Sequence, residues 1–504
     1  MDDEQNGIVE ERKRKIKKFL LNKKFLLILA GLVILLYIAW HVRTVNVPNL
    51  KDITTGNYTL GPDLDPFLFA RYAESIAHNG KLMTNDTMRY APLGFNTGGE
   101  TKLLPYMIAY FHKIIGEESF YYSTIYFPVF MFLLIVIAFF FFIRKIFEKK
   151  KHKDIIALIA CAFLIVSPSL LPRTVAGIPE KESVAFFFMI LAMYFFVSAW
   201  KSEKFRTGLV HAVLAGISTG LMALIWGGVR YVYLIIGFAV FLEFIFGKVD
   251  KKKIFQYAIW ILLTCLIEIA FFSERYNIKS VINAPTSSGF ALAILLLLIV
   301  DYAIFKTKIK NFKIIENSRK KIPDKLISIV AFIILGITIL AVMFGISFII
   351  KTISEVILIF TRTSTNIDRL SFTVAENKQP YFSDWKENFS PMINGIPLLF
   401  WVFFIGSIFL FYESFKHLEK KERRILTMSY IIFLFALVFN RYSTSSVMTG
   451  ENTTSTLIYI LGFAIIVGSF IYLYYKNDKS GKLQEFEKVD FSYLFLIAFF
   501  IVSL

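Results

Sequence analysis

FYYSTIYFPVFMFLLIVIAFFFFIRKIFEKKKHKDIIALIACAFLIVSPSLLPRTVAGIPEKESVAFFFMILAMYFFVSAW occupies residues 120–200, and its reading decides the architecture. Three apolar runs, 120–143, 155–172 and 183–199, are joined first by a basic link and then by a hinge that carries two Glu. A helix needs about 20 apolar residues to cross a bilayer's hydrocarbon layer. The same pattern recurs outward in both directions, at 25–41, 208–226, 231–246, 254–272, 290–305, 327–350, 394–412, 425–439 and 456–475. That gives twelve spans, and a thirteenth begins at Phe491 and meets the last residue, Leu504. The expectation is an all-α polytopic membrane protein with 12–13 transmembrane helices, ending inside the last of them. Composition agrees: 56% of the 504 residues are hydrophobic and 55 are Phe. A soluble multidomain chain and a disordered one are both excluded, because neither carries so little polar surface.

Charge alternates between the connections. Residues 11–24, 144–154, 248–253, 306–325 and 416–424 carry eight, six, four, eight and five Lys/Arg. All five fall on one side if the basic segment 1–24 is cytoplasmic, which is the orientation the positive-inside rule selects. The net charge of +18 is therefore topology and attraction to anionic lipid, and nucleic acid is not an expected partner. Two large loops, 42–119 and 351–393, face the other side. Cys161 and Cys265 both lie in apolar runs, so no disulfide framework or Cys metal site is expected. No Walker or Gly-rich nucleotide loop occurs.

Three acidic constellations fall on the outer side. Asp63 and Asp65 stand in Gly61-Pro62-Asp63-Leu64-Asp65-Pro66. Two carboxylates two apart face one ion on extended backbone, and an Asp here equally caps a helix starting near Pro66. Glu180 and Glu182 flank Lys181, which is expected to neutralise the pair in part, in the hinge 173–182, where acids also favour a helix N-terminus. Thr373-Val374-Ala375-Glu376 lies in the second large loop. Oxygen donors without His or Cys suit Mg²⁺ or Mn²⁺.

These residues together resemble the catalytic subunit of oligosaccharyltransferase in its archaeal single-subunit form, of the glycosyltransferase C superfamily. DLDPFLFARYAE (63–74) is similar to its first-loop acidic motif, RTVAGIPEKES (173–183) to its second-loop D-x-D/D-x-E motif, and TVAE (373–376) to its T-x-x-E motif. Arg89-Tyr90-Ala91-Pro92-Leu93-Gly94-Phe95, Trp226-Gly227-Gly228 and Asn440-Arg441-Tyr442-Ser443 extend the likeness, which runs from about residue 25 to the end. It implies transfer of an oligosaccharide from a polyprenyl (dolichyl) phosphate or pyrophosphate to Asn in Asn-x-Ser/Thr, on the extracytoplasmic face of the cell membrane. Asp65 and Glu376 would be catalytic, and Asp65, Glu180 and Glu182 would hold Mn²⁺ or Mg²⁺. Asp63 is a further possible ligand. The partners implied are a lipid-linked donor, a sequon-bearing polypeptide and the bilayer, with a single subunit sufficing.

The chain departs from the family in two places. The second motif is E-x-E, and no two of the six Trp residues adjoin, so the acceptor-reading WWDYG motif is missing. The domain expectation is accordingly a basic segment 1–24 and a membrane catalytic domain 25–504, truncated in its thirteenth helix, without the family's C-terminal soluble domain. Arg441 is the candidate for donor phosphate, with Arg173 and Arg230 of the same standing; an interfacial Arg snorkelling at a helix end is the plain alternative. Four sequons, at Asn57, Asn85, Asn388 and Asn452, fall on the outer side and are candidates for self-glycosylation. The rival readings are another glycosyltransferase C enzyme, transferring O-mannose or a lipid-linked sugar, and a cation-coupled transporter, which would carry its acids near mid-span.

Overall fold

The computed structural model describes residues 22–116, 119–282, 287–320, 322–361, 380–389, 392–450 and 452–503. It is an all-α polytopic membrane protein; the strands among these residues are two antiparallel pairs, Asn85–Asp86 with Phe95–Asn96 and Met392–Ile393 with Ile396–Pro397. Eight of the described helices are long and apolar enough to cross a membrane. The chain divides into two compact units, one of residues 1–194 and 224–226, the other of 195–223 and 227–504.

The first unit holds α1 (Lys23–Thr44), α2 (Leu64–Asn79), α3 (Leu103–Ile115), α4 (Phe120–Ile146), α5 (Lys153–Ile165) and most of α6 (Lys181–Trp200). α4 runs 27 residues, a rise of about 40 Å. Its sequence sets both ends: Ser119 accepts from the Tyr122 amide at 3.3 Å, and Arg144 and Lys145 occupy the last turn, where the helix dipole favours cations. α1, α4 and α5 pack on one another, and α2 packs on α3. Beneath α2 lies an apolar cluster of Val47, Leu50, Leu60, Ala70, Ile125, Val129 and Ala176.

α5 is shorter than its apolar run. The run 155–172 reads as one span, but the helix stops at Ile165. Pro168 disfavours helical backbone at Ser167 and cannot donate into the helix ladder. Residues 166–180 are therefore a turn-rich segment, longer than the ten-residue hinge expected from the sequence.

The second unit begins with α7 (Phe205–Ala223), α8 (Arg230–Ile245), α9 (Lys251–Phe271) and α10 (Ser288–Lys306). α7 and α9 approach closely because α7 offers glycines: a Cβ on Gly216 would lie 3.0 Å from the Trp260 carbonyl oxygen, and one on Gly220 2.8 Å from Ile267. Small residues let membrane helices meet backbone to backbone. Buried hydroxyls close the seam, with Trp260 Nε1 donating to Thr219 at 2.9 Å and Thr264 to the Gly216 carbonyl at 3.2 Å.

The run 327–350 divides into α11 (Asp324–Phe344) and α12 (Ile346–Thr361), parted by Gly345 at φ 81°. The helical backbone thus extends into segment 351–393. Beyond it stand α13 (Phe382–Phe389), α14 (Leu398–Ser414), α15 (Lys420–Phe439), α16 (Thr453–Lys479) and α17 (Phe491–Ser503). The Phe content earns its place here. Phe246, Phe400, Phe404, Phe411, Phe415, Tyr430 and Phe433 share one core, with Phe411 and Tyr430 stacked at 4.0 Å. α14 and α17 are apolar but only 17 and 13 residues long, so they fall below the length that defines the eight.

Candidate functional site

The first unit brings two of the acidic motifs together, and it does so through backbone. Asp63 lies on extended backbone and caps α2, its Oδ1 accepting from the Leu64 amide at 2.7 Å. Two residues earlier, the Gly61 amide donates to the Gly177 carbonyl at 2.9 Å. Neither glycine leaves room for a side chain. A Cβ on Gly61 would lie 2.5 Å from Ile178 Cδ1, and one on Gly177 2.7 Å from Leu50 Cδ1. Gly177 also sits at φ 85°, where L side chains are strained.

The segment 166–180 is strapped down on further sides. The Gly177 amide donates to the Ile125 carbonyl at 3.0 Å and the Ala176 amide to the Arg43 carbonyl at 2.8 Å. Asn46 Nδ2 returns a bond to the Ala176 carbonyl at 2.9 Å. Arg43, fully buried at the end of α1, donates from Nε to Thr174 Oγ1 at 2.9 Å and from Nη1 to the Ile165 carbonyl at 3.2 Å. Its guanidinium stands 3.3 Å from the Phe132 ring centroid. A cation here is solvated by carbonyl, hydroxyl and ring rather than by a carboxylate.

At the end of this strapped segment stands Glu180, buried just before α6. Its Oε2 accepts from Arg173 Nη1 at 2.7 Å, and the Asp63 carboxyl stands near enough to favour its protonated form. Burial pushes the Glu180 carboxyl up to about 7; the Glu182 charge and the Asp63 carboxyl add to the rise, and Arg173 opposes it. Two neighbouring acids, with a third charge nearby, form a locus whose next favourable partner is a cation.

The other expectations distribute as follows. Asp65 is exposed in the first turn of α2, and it makes no hydrogen bond or ion pair among the described residues, so the acid brought against Glu180 is Asp63. Glu182 is half-buried in the first turn of α6. Lys181, expected to temper the two glutamates, stands instead 5.1 Å from the Phe69 ring; Arg173 takes that role. Thr373 and Glu376 lie outside the described residues. Arg441, in the second unit, stacks 4.6 Å over Tyr381, and its carbonyl accepts from the Phe382 amide at 2.9 Å. Arg230 is exposed at the first residue of α8. Among the described residues no three His, Cys, Asp or Glu side chains form a metal-holding group.

The Arg89–Phe95 stretch proves to be scaffold. Arg89 Nη1 donates to Glu100 at 2.8 Å and to Tyr72 at 3.0 Å, with its guanidinium 3.8 Å from the Phe95 ring. Nearby, fully buried Asp86 accepts from Arg71 Nη1 at 2.7 Å and from Tyr72 at 3.2 Å, and the Arg71 bond holds its carboxyl below the usual carboxylate range. Sequence reasoning missed Arg43, Asn46 and the Gly61–Gly177 contact. The one local signal was an Arg at the end of an apolar run, which ordinarily reads as snorkelling.

Comparison with known proteins follows the same lines. The family model described as oligosaccharyl transferase STT3, N-terminal, matches residues 55–380. A subunit STT3 of the dolichyl-diphosphooligosaccharide–protein glycosyltransferase of Saccharomyces cerevisiae is 29% identical over 112 residues, covering 22% of this chain and 15% of the yeast protein. Among solved structures, the Archaeoglobus fulgidus oligosaccharyltransferase AglB, in complex with an inhibitory peptide and a dolichol-phosphate, aligns with a TM-score of 0.60 at 19% identity. That alignment covers 96% of this chain and 56% of AglB. A second structure of the A. fulgidus oligosaccharyltransferase, with Zn and sulfate, aligns at 0.53 and 19% identity over 94% of this chain and 53% of that one. At such identity the structural likeness is one of fold. The chain spans about half the length of these structures and matches a smaller part of the curated relative.

Proposed function

The chain belongs to the oligosaccharyl transferase STT3 family, and from that premise we propose that it transfers an oligosaccharide from a dolichyl-type phosphate or pyrophosphate donor to Asn in Asn-x-Ser/Thr. The observation that carries this reading is the glycine-to-glycine meeting that sets Asp63 against Glu180 at the ends of apolar helices. The orientation follows from charge: with the five basic links cytoplasmic, this acidic locus faces outward. The A. fulgidus structures carry a peptide and dolichol-phosphate in one case and Zn and sulfate in another, which supports a lipid donor, a peptide acceptor and a divalent metal here too. One chain would suffice for the reaction.

The donor set suits a hard divalent cation. Mg²⁺, and Mn²⁺ by analogy, is commonly held by one or two carboxylates together with substrate phosphate. Glu180 and Asp63 would supply the first of these, with Glu182 and Asp65 flanking them. A cation held there would supply charge neutralisation at the departing phosphate. The chain's own contributions are positional. The straps on 166–180 keep Glu180 from turning away to solvent, and Arg173 compensates its charge when no ion is present. The acceptor amide is a poor nucleophile because its lone pair is delocalised. Asp65, exposed beside the locus, and Glu376 would accept hydrogen bonds from its N–H groups and so orient it.

The test is a transfer assay in membranes carrying the full-length protein, with a sequon peptide, native lipid-linked sugar and Mn²⁺. Asp65→Ala and Glu376→Ala are each expected to lower transfer at least about 100-fold. Transfer that survives both changes, or a peptide never modified by the unaltered protein, overturns the assignment.

A further inference from the structure

The sequons differ in what their amide is already doing. Asn452 caps α16: its Oδ1 accepts from the Ser455 amide at 2.8 Å and its Nδ2 donates to the Val447 carbonyl at 2.7 Å. Both ends of that side chain are committed: the oxygen caps a 27-residue helix, and freeing the nitrogen breaks its bond to the Val447 carbonyl. Asn85 pairs with Asn96 in a strand ladder, and its amide lies against Gly94, where a Cβ would approach it to 2.6 Å. The middle residue of that sequon is buried Asp86, bonded to Arg71 and Tyr72. To seat Asn85-Asp86-Thr87 in a cleft would strip an ion pair from the interior. The side chain of Asn388 is not among those described.

Asn57 is different. It is exposed, and its side chain makes no hydrogen bond among the described residues. It leaves a tight turn that stands without it. The Asp52 amide donates to the Asn57 carbonyl at 2.9 Å and the Gly56 amide to the Asp52 carbonyl at 2.8 Å. Asp52 Oδ1 gathers the Thr54 and Thr55 amides at 2.8 and 2.7 Å, and Lys51 bridges to Tyr58 across the base. Gly56, at φ 71°, supplies the left-handed corner. The Thr59 hydroxyl, third position of the sequon, also makes no hydrogen bond among the described residues, while the Thr59 amide is tied to the Leu50 carbonyl at 3.0 Å. The turn therefore uses backbone and Asp52 and leaves spare the two side chains that define the sequon. The segment runs on through Gly61 to Asp63, which places it on the same side of the membrane as the acidic locus.

We propose that Asn57 is an acceptor of the chain's own reaction, so that the enzyme is among its substrates; this rests on the transfer reading above. A C–N bond forms between Asn57 Nδ2 and the anomeric carbon of the lipid-linked sugar. The bond from that carbon to the phosphate oxygen breaks, its electron pair leaves with the lipid phosphate, and one amide proton passes to solvent.

The test is glycopeptide mass spectrometry of the full-length protein from membranes of its own host. The expected result is a glycan mass on the peptide bearing Asn57, lost in Asn57→Gln and in Thr59→Ala, with Asn85 and Asn452 unmodified. Cells whose sole copy carries Asp65→Ala are expected to lose the Asn57 glycan together with glycans on other sequon proteins. An unmodified Asn57 beside glycosylated neighbours overturns the self-acceptor assignment and leaves the transfer reading intact. So does an Asn57 glycan that persists in Asp65→Ala cells whose other sequons have emptied. Glycan on Asn85 and Asn452 alike overturns selection by the folded geometry. Absence of glycan from every sequon in the unaltered membranes overturns the transfer reading, and this inference with it.

Discussion

Glu180 in the first unit and Glu243, Glu268 and Glu422 in the second are equally withdrawn from solvent, at 2%, 2%, 1% and 3% exposure, yet they are accommodated in opposite ways. In the second unit every one of these carboxylates meets a donor. Glu268 accepts from Tyr233 at 2.7 Å, Glu243 from Lys253 at 2.8 Å, and Glu422 from Lys476 and Asn477 at 2.8 and 3.2 Å. In the first unit Glu180 has one cation, Arg173, but also a second carboxyl beside it and a third charge close by. Hydrogen-bond donors, charged or neutral, are what a fold uses to bury an acid at least cost. Like charges pressed together are what a fold tolerates where another charge is to be received. The comparison sets Glu180 apart as the buried acid of these four with a second carboxyl beside it.

Substitutions can break that contrast. Glu180→Gln removes a like charge, so thermal unfolding in detergent is expected at an equal or higher temperature, while divalent-dependent transfer falls by about 100-fold or more. Equal losses of stability and transfer would make Glu180 another structural acid. Gly177→Ala forces a side chain into a left-handed position against Leu50, at a cost of about 1–3 kcal/mol. It should lower transfer and Mn²⁺ affinity together, read by titration of the purified protein; unchanged Mn²⁺ affinity would break the link between the glycine contact and the acids. Glu422→Ala in the second unit is expected to cost about 1–2 kcal/mol of stability and to leave Mn²⁺ affinity untouched.

Acid provides a further separation. The Asp86 carboxyl is held low in the folded state, so its bond to Arg71 contributes stability that is fully present above about pH 4. That contribution is lost as pH falls through the depressed folded value. Hydrogen exchange over residues 64–100 should quicken below pH 4, and Asp86→Asn should abolish the pH dependence. The smallest effect belongs to the helix seam: Thr264→Val is expected to cost about 0.6 kcal/mol, with transfer unchanged.

Much of this was legible in the sequence and some was not, for reasons tied to particular residues. Apolar runs announce membrane helices because the bilayer demands length and apolarity alone. Their ends were less readable, since Pro168 and Gly345 punctuate from inside a run. The three acidic motifs stood out by composition. Which Asp of the first motif meets Glu180 did not, because the answer depends on where α2 begins: Asp63 caps it, and Asp65 rides its first turn into solvent. The cation paired with Glu180 is Arg173 rather than the adjacent Lys181, because sequence adjacency is a poor guide at a helix start, where successive residues diverge by about 100°. Arg43 and the Gly61–Gly177 bond are long-range contacts, to which no local pattern points. The T-x-x-E expectation at Thr373 and Glu376 lies outside the described residues.

The shortness of α5 has a consequence of its own. Thirteen residues rise about 20 Å, whereas the hydrocarbon layer is about 30 Å thick. The turn segment that follows must make up the difference at a depth where exposed peptide groups are forbidden, and the bonds to Arg43, Asn46 and Ile125 are what that depth requires. On the proposed reading, Glu180 would sit in a recess of the bilayer edge instead of on a platform above it. The proposed donor, with its long isoprenoid tail, would then present its phosphate there without being hauled toward water, which would cost about 4 kcal/mol for each five-carbon unit withdrawn. In that arrangement the chemistry would be lowered to the lipid rather than the lipid raised to the chemistry.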